Sequence, residues 1–158
     1  MSREFNIDEV RNFIANTSET TSIYIGADSE RYRNKNDEWM ADYTVAIVVH
    51  IDSNRGCKVF GKVDSERDYD NRHDRPVLRL MNEVYRASQM YLDLADVIGD
   101  RHVEVHLDIN PDLIHGSSCV VQQAIGYVRG VCNVVPMVKP EAFAASYCAD
   151  RLKEILAA

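Results

Sequence analysis

The order in which β-rich runs and helix-spaced apolar stretches succeed one another narrows the fold of this 158-residue chain more than any other feature. Residues 22–27 (SIYIGA), 42–51 (DYTVAIVVHI) and 57–63 are three β-rich runs. Polar residues 29–39 between the first two read as a hairpin loop, and residues 53–56 (SNRG) as a turn, which predicts an antiparallel meander. The period then changes. Over residues 75–98, Val77, Leu80, Met81, Val84, Tyr91 and Leu92 recur at helical spacing, with Asp74 as the expected N-cap, Pro76 in the first turn and Gly99 closing the helix.

Residues 102–109 alternate strictly. Val103, Val105, Leu107 and Ile109 fall on one face, and His102, Glu104, His106 and Asp108 on the other, the pattern of a strand with one polar side. A helix over 119–129 ended by Gly130, a strand over 131–138 and a helix over 142–156 complete the reading, and a short helix over 6–15 precedes everything. The expected fold class is α/β: a mixed five-stranded sheet, three strands antiparallel and two parallel, flanked by helices in one domain over residues 1–158.

Charge limits what such a domain can bind. Eighteen Lys and Arg against 25 Asp and Glu leave a net charge of −7, a poor counterion-releasing clamp for phosphate backbones unless metal ions supply positive charge. The four cysteines, Cys57, Cys119, Cys132 and Cys148, form no CxxC pair, no apolar leader opens the sequence, and no apolar run reaches the ~18 residues of a membrane span. The expectation is a cytoplasmic chain with free thiols and no membrane partner.

Acids that end or interrupt apolar runs carry the chemistry, because a buried lone carboxylate is costly unless a cation or hydrogen bonds offset it. Asp28 follows Ile25, Gly26 and Ala27 at the end of the first run; Glu83 lies among Leu80, Met81 and Val84; Asp108 ends the alternating strand; Asp150 sits amid Ala144, Ala145 and Cys148. In the expected topology the first and fourth strands are parallel neighbours, which brings Asp28 and Asp108 together at the sheet edge where ligands bind. Gathered carboxylates select a hard ion, Mg²⁺ or Mn²⁺, and two such ions activate water and stabilise a leaving oxygen in phosphodiester hydrolysis. Each acid also has an ordinary explanation: a loop cap for Asp28, an Arg79 or Arg86 partner for Glu83, turn chemistry for Asp108 and a solvated helix face for Asp150.

The segments IYIGADSE (23–30), VEVHLDIN (103–110), GYVRG (126–130) and KPEAFAASYCAD (139–150) resemble the YkuK-type group of the ribonuclease H-like superfamily over roughly residues 20–155. The resemblance implies an Asp, Glu, Asp, Asp two-metal centre, matched here by Asp28, Glu83, Asp108 and Asp150, with helix register choosing Glu83 over Asp93 or Asp96. Ser29, Asn110 and Lys139 flank these positions as candidate substrate contacts, and His106 shares the strand face of Asp108. Arg31, Arg33 and Lys35 with Tyr32 and Trp39 make one basic, aromatic patch, suited to stacking on nucleic acid but partly neutralised by Glu30, Asp37 and Glu38. The leading expectation is a metal-dependent nuclease acting on nucleic acid. The alternative is a non-catalytic binding or assembly module with a structural carboxylate cluster.

Overall fold

The computed structural model describes residues 5–70, 77–109 and 121–138. Helix α1 (Ile7–Ala15) starts where the Asn6 side chain accepts hydrogen bonds from the Asp8 and Glu9 amides, at 2.9 and 3.4 Å, satisfying two of the free N–H groups of the first turn. Strands β1 (Ser22–Arg33), β2 (Trp39–His50) and β3 (Cys57–Arg67) form the expected meander. They are followed by helix α2 (Val77–Ile98), strand β4 (His102–Leu107) and helix α3 (Val121–Cys132). The sheet order is β3-β2-β1-β4, with β1 antiparallel to β2 and parallel to β4.

One face of this sheet is the core. Ile23, Ile25 and Ala27 of β1 stand beside Val49, Ile47 and Val45 of β2 and Val103, Val105 and Leu107 of β4, all in one apolar cluster with Leu80, Val84, Ala87 and Leu94 of α2. Alternate side chains of β1 therefore pack toward α2, which also holds α3 through Ala124 and Val128 and an edge-to-face Tyr85–Tyr127 pair at 4.8 Å. Arg11 ties α1 to the far end of α2, donating to the Asp93 carbonyl at 2.6 Å and to both Asp96 carboxylate oxygens.

Three expectations need correction. The first two strands do not end at Ala27 and start at Asp42; they run on to Arg33 and back from Trp39, so Asp28 lies inside β1, and the hairpin turn is only residues 34–38. Asn34 closes that turn by accepting from the Asn36 and Glu38 amides, with Asp37 at φ 61°. Likewise β3 continues through Arg67, beyond the expected run of residues 57–63.

The sheet has four strands among the described residues, not five. Helix α3 runs through Gly130 to Cys132 and stops at Asn133, whose φ of 57° supplies the left-handed terminating residue, so the expected strand over 131–138 loses its first half. Pro136 has no amide to donate. What remains is one parallel bridge, His106 with Met137, in which Met137 donates its amide to the Val105 carbonyl at 2.8 Å and accepts at its own carbonyl from the Leu107 amide at 2.9 Å.

At the start of α2 the Asp70 carboxylate accepts from the Leu78 and Arg79 amides, both at 2.9 Å, so a residue beyond the end of β3 caps this helix. The expected cap Asp74, the helix over 142–156, Asn110, Lys139 and Asp150 lie outside the described residues. No described helix is long and apolar enough to cross a membrane.

Candidate functional site

The last register pair between β1 and β4 is Ala27 with Leu107. Asp28 and Asp108 are the next residues on the two chains, so they occupy neighbouring positions where the parallel pairing ends, strands ~4.8 Å apart. Strand alternation puts Asp28 on the face opposite the core residues Ile25 and Ala27. His106, two residues before Asp108, shares the face of Tyr24, its ring 5.6 Å from the Tyr24 ring. Asp28 is 9% exposed and Asp108 half-buried. The expected pair is therefore brought together by the topology, on the non-core face of the sheet.

Glu83 is placed differently. It projects from the core side of α2, 2% exposed, and accepts a hydrogen bond from the Ser29 hydroxyl. Arg79, one helical turn earlier, donates through Nη1 to the same hydroxyl oxygen at 2.8 Å and to the Ser29 carbonyl at 3.3 Å. A guanidinium only donates, so the single Ser29 proton is directed to Glu83 and Oε1 is held as an acceptor. Ser29, a candidate substrate contact in the sequence, bridges β1 and α2. The competing helix positions Asp93 and Asp96 sit beside Arg11 at the other end of α2, which leaves Glu83 as the acid of the three that lies beside β1.

A ribonuclease H-like family model matches residues 6–154. The chain belongs to the ribonuclease H-like family. No curated protein and no solved structure matches it.

Within this ribonuclease H-like frame the donor chemistry of Asp28 and Asp108 fits a hard dication, since both offer only carboxylate oxygen. Among the described residues no group of three or more His, Cys, Asp or Glu is arranged to hold a metal ion, and the fourth expected acid, Asp150, lies outside them. The residues thus fit a cation at Asp28 and Asp108, while Glu83 is engaged by Ser29.

Below Asp108, His106 is fully buried, with Nε2 3.5 Å from Glu104, whose other oxygen accepts from His102 at 2.9 Å. Burial lowers the His106 pKa from its ordinary 6.5, against the smaller upward pull of Glu104. An unfolded chain then binds more protons than the folded one below about pH 6.5, so this group makes stability fall as pH drops through that value toward its folded pKa. Urea titrations at steps from about pH 7.5 to 5.5 should show the loss, and His106→Gln should flatten it across that window. An unchanged slope in the variant rules this group out as the source.

Both arginines of the basic, aromatic patch are charge-paired. Arg31 and Arg33 lie over Trp39, at 4.1 and 4.5 Å from its ring, and their charges meet Asp68 and Asp37, each at 2.6 Å. Arg86 covers the Tyr43 ring at 4.0 Å and pairs with Glu66 of β3 at 2.7 Å. The residues that sequence reasoning missed are Asp70 and the Asp68 counter-ion of Arg31. Both sit in an Asp- and Arg-rich stretch whose long-range partners have no local sequence signature.

Proposed function

We propose that this chain is a divalent-metal-dependent nuclease that hydrolyses phosphodiester bonds in nucleic acid. The observation that carries the reading is the register of β1 and β4, which leaves Asp28 and Asp108 adjacent where the parallel pairing ends, at the carboxyl end of β4. Family membership supports a role with nucleic acid.

In this reading Asp28 and Asp108 hold Mg²⁺ or Mn²⁺, with Asp150 as the further expected ligand. When bound, such ions lower the pKa of water and offset charge developing on phosphoryl oxygens. The chain's own contribution is to fix both carboxylates on one rigid sheet and to keep them partly out of water, which strengthens their electrostatic effect. Ser29 and Arg79 hold the backbone directly after Asp28 against α2. Weak, metal-assisted substrate binding suits the net charge of −7.

A second reading, a non-catalytic module, draws support from the engagement of Glu83 by Ser29, which gives that acid a structural use. Incubating the purified protein with labelled RNA, RNA–DNA hybrid, single-stranded DNA and branched DNA separates the two. Cleavage that needs Mn²⁺ or Mg²⁺ and stops with chelator is the expected result. No cleavage, together with no calorimetric Mn²⁺ binding at millimolar ion, would establish the module instead.

A further inference from the structure

Strand β3 forms one edge of the sheet, paired to β2 alone among the described residues. It is eleven residues long and open to solvent over most of its length, with Val59 and Val63 40% and 39% exposed on the same face. A long edge with exposed apolar side chains is a template for another strand unless something blocks it. Charge is the usual block, and here its sign is uneven about Gly61: Lys58 lies before it, and Asp64 and Glu66 lie after it, beyond Lys62.

We propose that β3 is a homodimerisation edge, on which the β3 strand of a second copy pairs antiparallel about a two-fold axis through Gly61, joining two sheets into one. Antiparallel self-pairing reverses the order of charges. About Gly61, Lys58 faces Asp64 of the partner subunit, and Val59 faces Val63 of the partner subunit, each contact occurring twice by symmetry. Glycine at the axis means that no two identical side chains are forced together there on the shared face of the sheet.

The neighbouring registers are worse. A two-fold axis normal to the sheet requires facing residues to share a face, so registers change in steps of two. One step in one direction keeps a charge pair, Lys58 with Glu66, but sets Lys62 against Lys62 and parts Val59 from Val63; one step in the other sets Lys58 against Lys62. Within each chain Lys62 stands 3.6 Å from Asp64 with both side chains over 40% exposed, a pair weak enough to rearrange. A strand-only interface is small, so the dimer is expected in the micromolar range and is concentration-dependent.

The register gives a specific covalent test. It places the exposed, free Cys57 opposite Ser65 of the partner subunit, and directly opposed antiparallel residues have Cα atoms ~4.5–5.5 Å apart, within disulfide reach. Mildly oxidised Ser65→Cys should therefore run as a covalent dimer, whereas Cys57→Ser/Ser65→Cys, which carries the same change at 65, should not. In sedimentation equilibrium, Lys58→Asp should weaken association at least about tenfold, and Lys58→Asp/Asp64→Lys should restore it. A protein that stays monomeric at about 500 µM, and whose Ser65→Cys variant forms no cross-link through Cys57, overturns the proposal and assigns the edge to solvent or to a strand of a different protein. Dimerisation that the charge changes and cross-link do not track overturns it equally, because the interface then lies elsewhere. Neither outcome depends on nuclease activity.

Discussion

Asp28→Asn and Asp108→Asn should each reduce divalent-metal-dependent cleavage by at least about 100-fold while leaving the protein folded, since even changes one shell away from a metal cost roughly 10- to 100-fold. Asparagine keeps the size and one oxygen of the carboxylate but removes its charge, so packing around the 9%-exposed Asp28 is preserved while its pull on a dication is lost. The paired measurement is Mn²⁺ binding by calorimetry, which should weaken in parallel with turnover. Circular dichroism and urea midpoints near wild type establish that the loss is chemical. Cleavage that persists in both variants would remove these carboxylates from the reaction, and the nuclease reading of this sheet edge with them.

Arg31→Met should destabilise the fold by about 3–5 kcal/mol, the cost of leaving a buried charge without its counter-ion. The Asp68 side chain is 1% exposed and that of Arg31 13%, with Nε 2.6 Å from Oδ2. These two atoms lie outside hydrogen-bond alignment with each other, so the contact acts as an ion pair. Asp68 also accepts from the Asp70 amide at 3.1 Å, and Asp70 in turn caps α2, which connects the pair to the start of the long helix. Arg31→Met/Asp68→Asn removes both charges yet keeps the acceptor for Asp70, and should recover more than half of the loss in urea unfolding. A double variant no more stable than Arg31→Met would show that guanidinium packing on Trp39, rather than charge compensation, is what the fold needs.

Much of this architecture was legible because its signals are local. The alternation of residues 102–109 and the helical spacing after Val77 required no knowledge of partners, and both elements form as expected. From them followed the parallel neighbourhood of β1 and β4, and so the meeting of Asp28 with Asp108. The strand lengths were not legible. Residues 29–33 are polar and look like loop, yet Ser29 is held by Arg79 and Glu83, 50 and 54 residues away in the chain, and Arg31 by Asp68, 37 residues away. No local pattern shows what such partners contribute. Gly130 reads as a helix stop, but the helix uses Asn133 for that purpose, and the fifth strand is reduced to a single bridge in consequence. Helix spacing singled out Glu83 from the acids of α2, and that residue does lie beside β1. Its engagement by Ser29 depends on which way one hydroxyl proton points, a property of three assembled side chains and of no sequence pattern.

The Met137 bridge has a bearing on colloidal behaviour. By taking the Val105 carbonyl and the Leu107 amide, it occupies ladder groups on the outer side of β4 that an incoming strand would need. Among the described residues the two flanks of the sheet are therefore unlike, β3 paired to β2 alone and β4 bridged by Met137. On the proposed β3 pairing, strand addition would stop at two copies, and light scattering from a concentrated solution should then show no filaments.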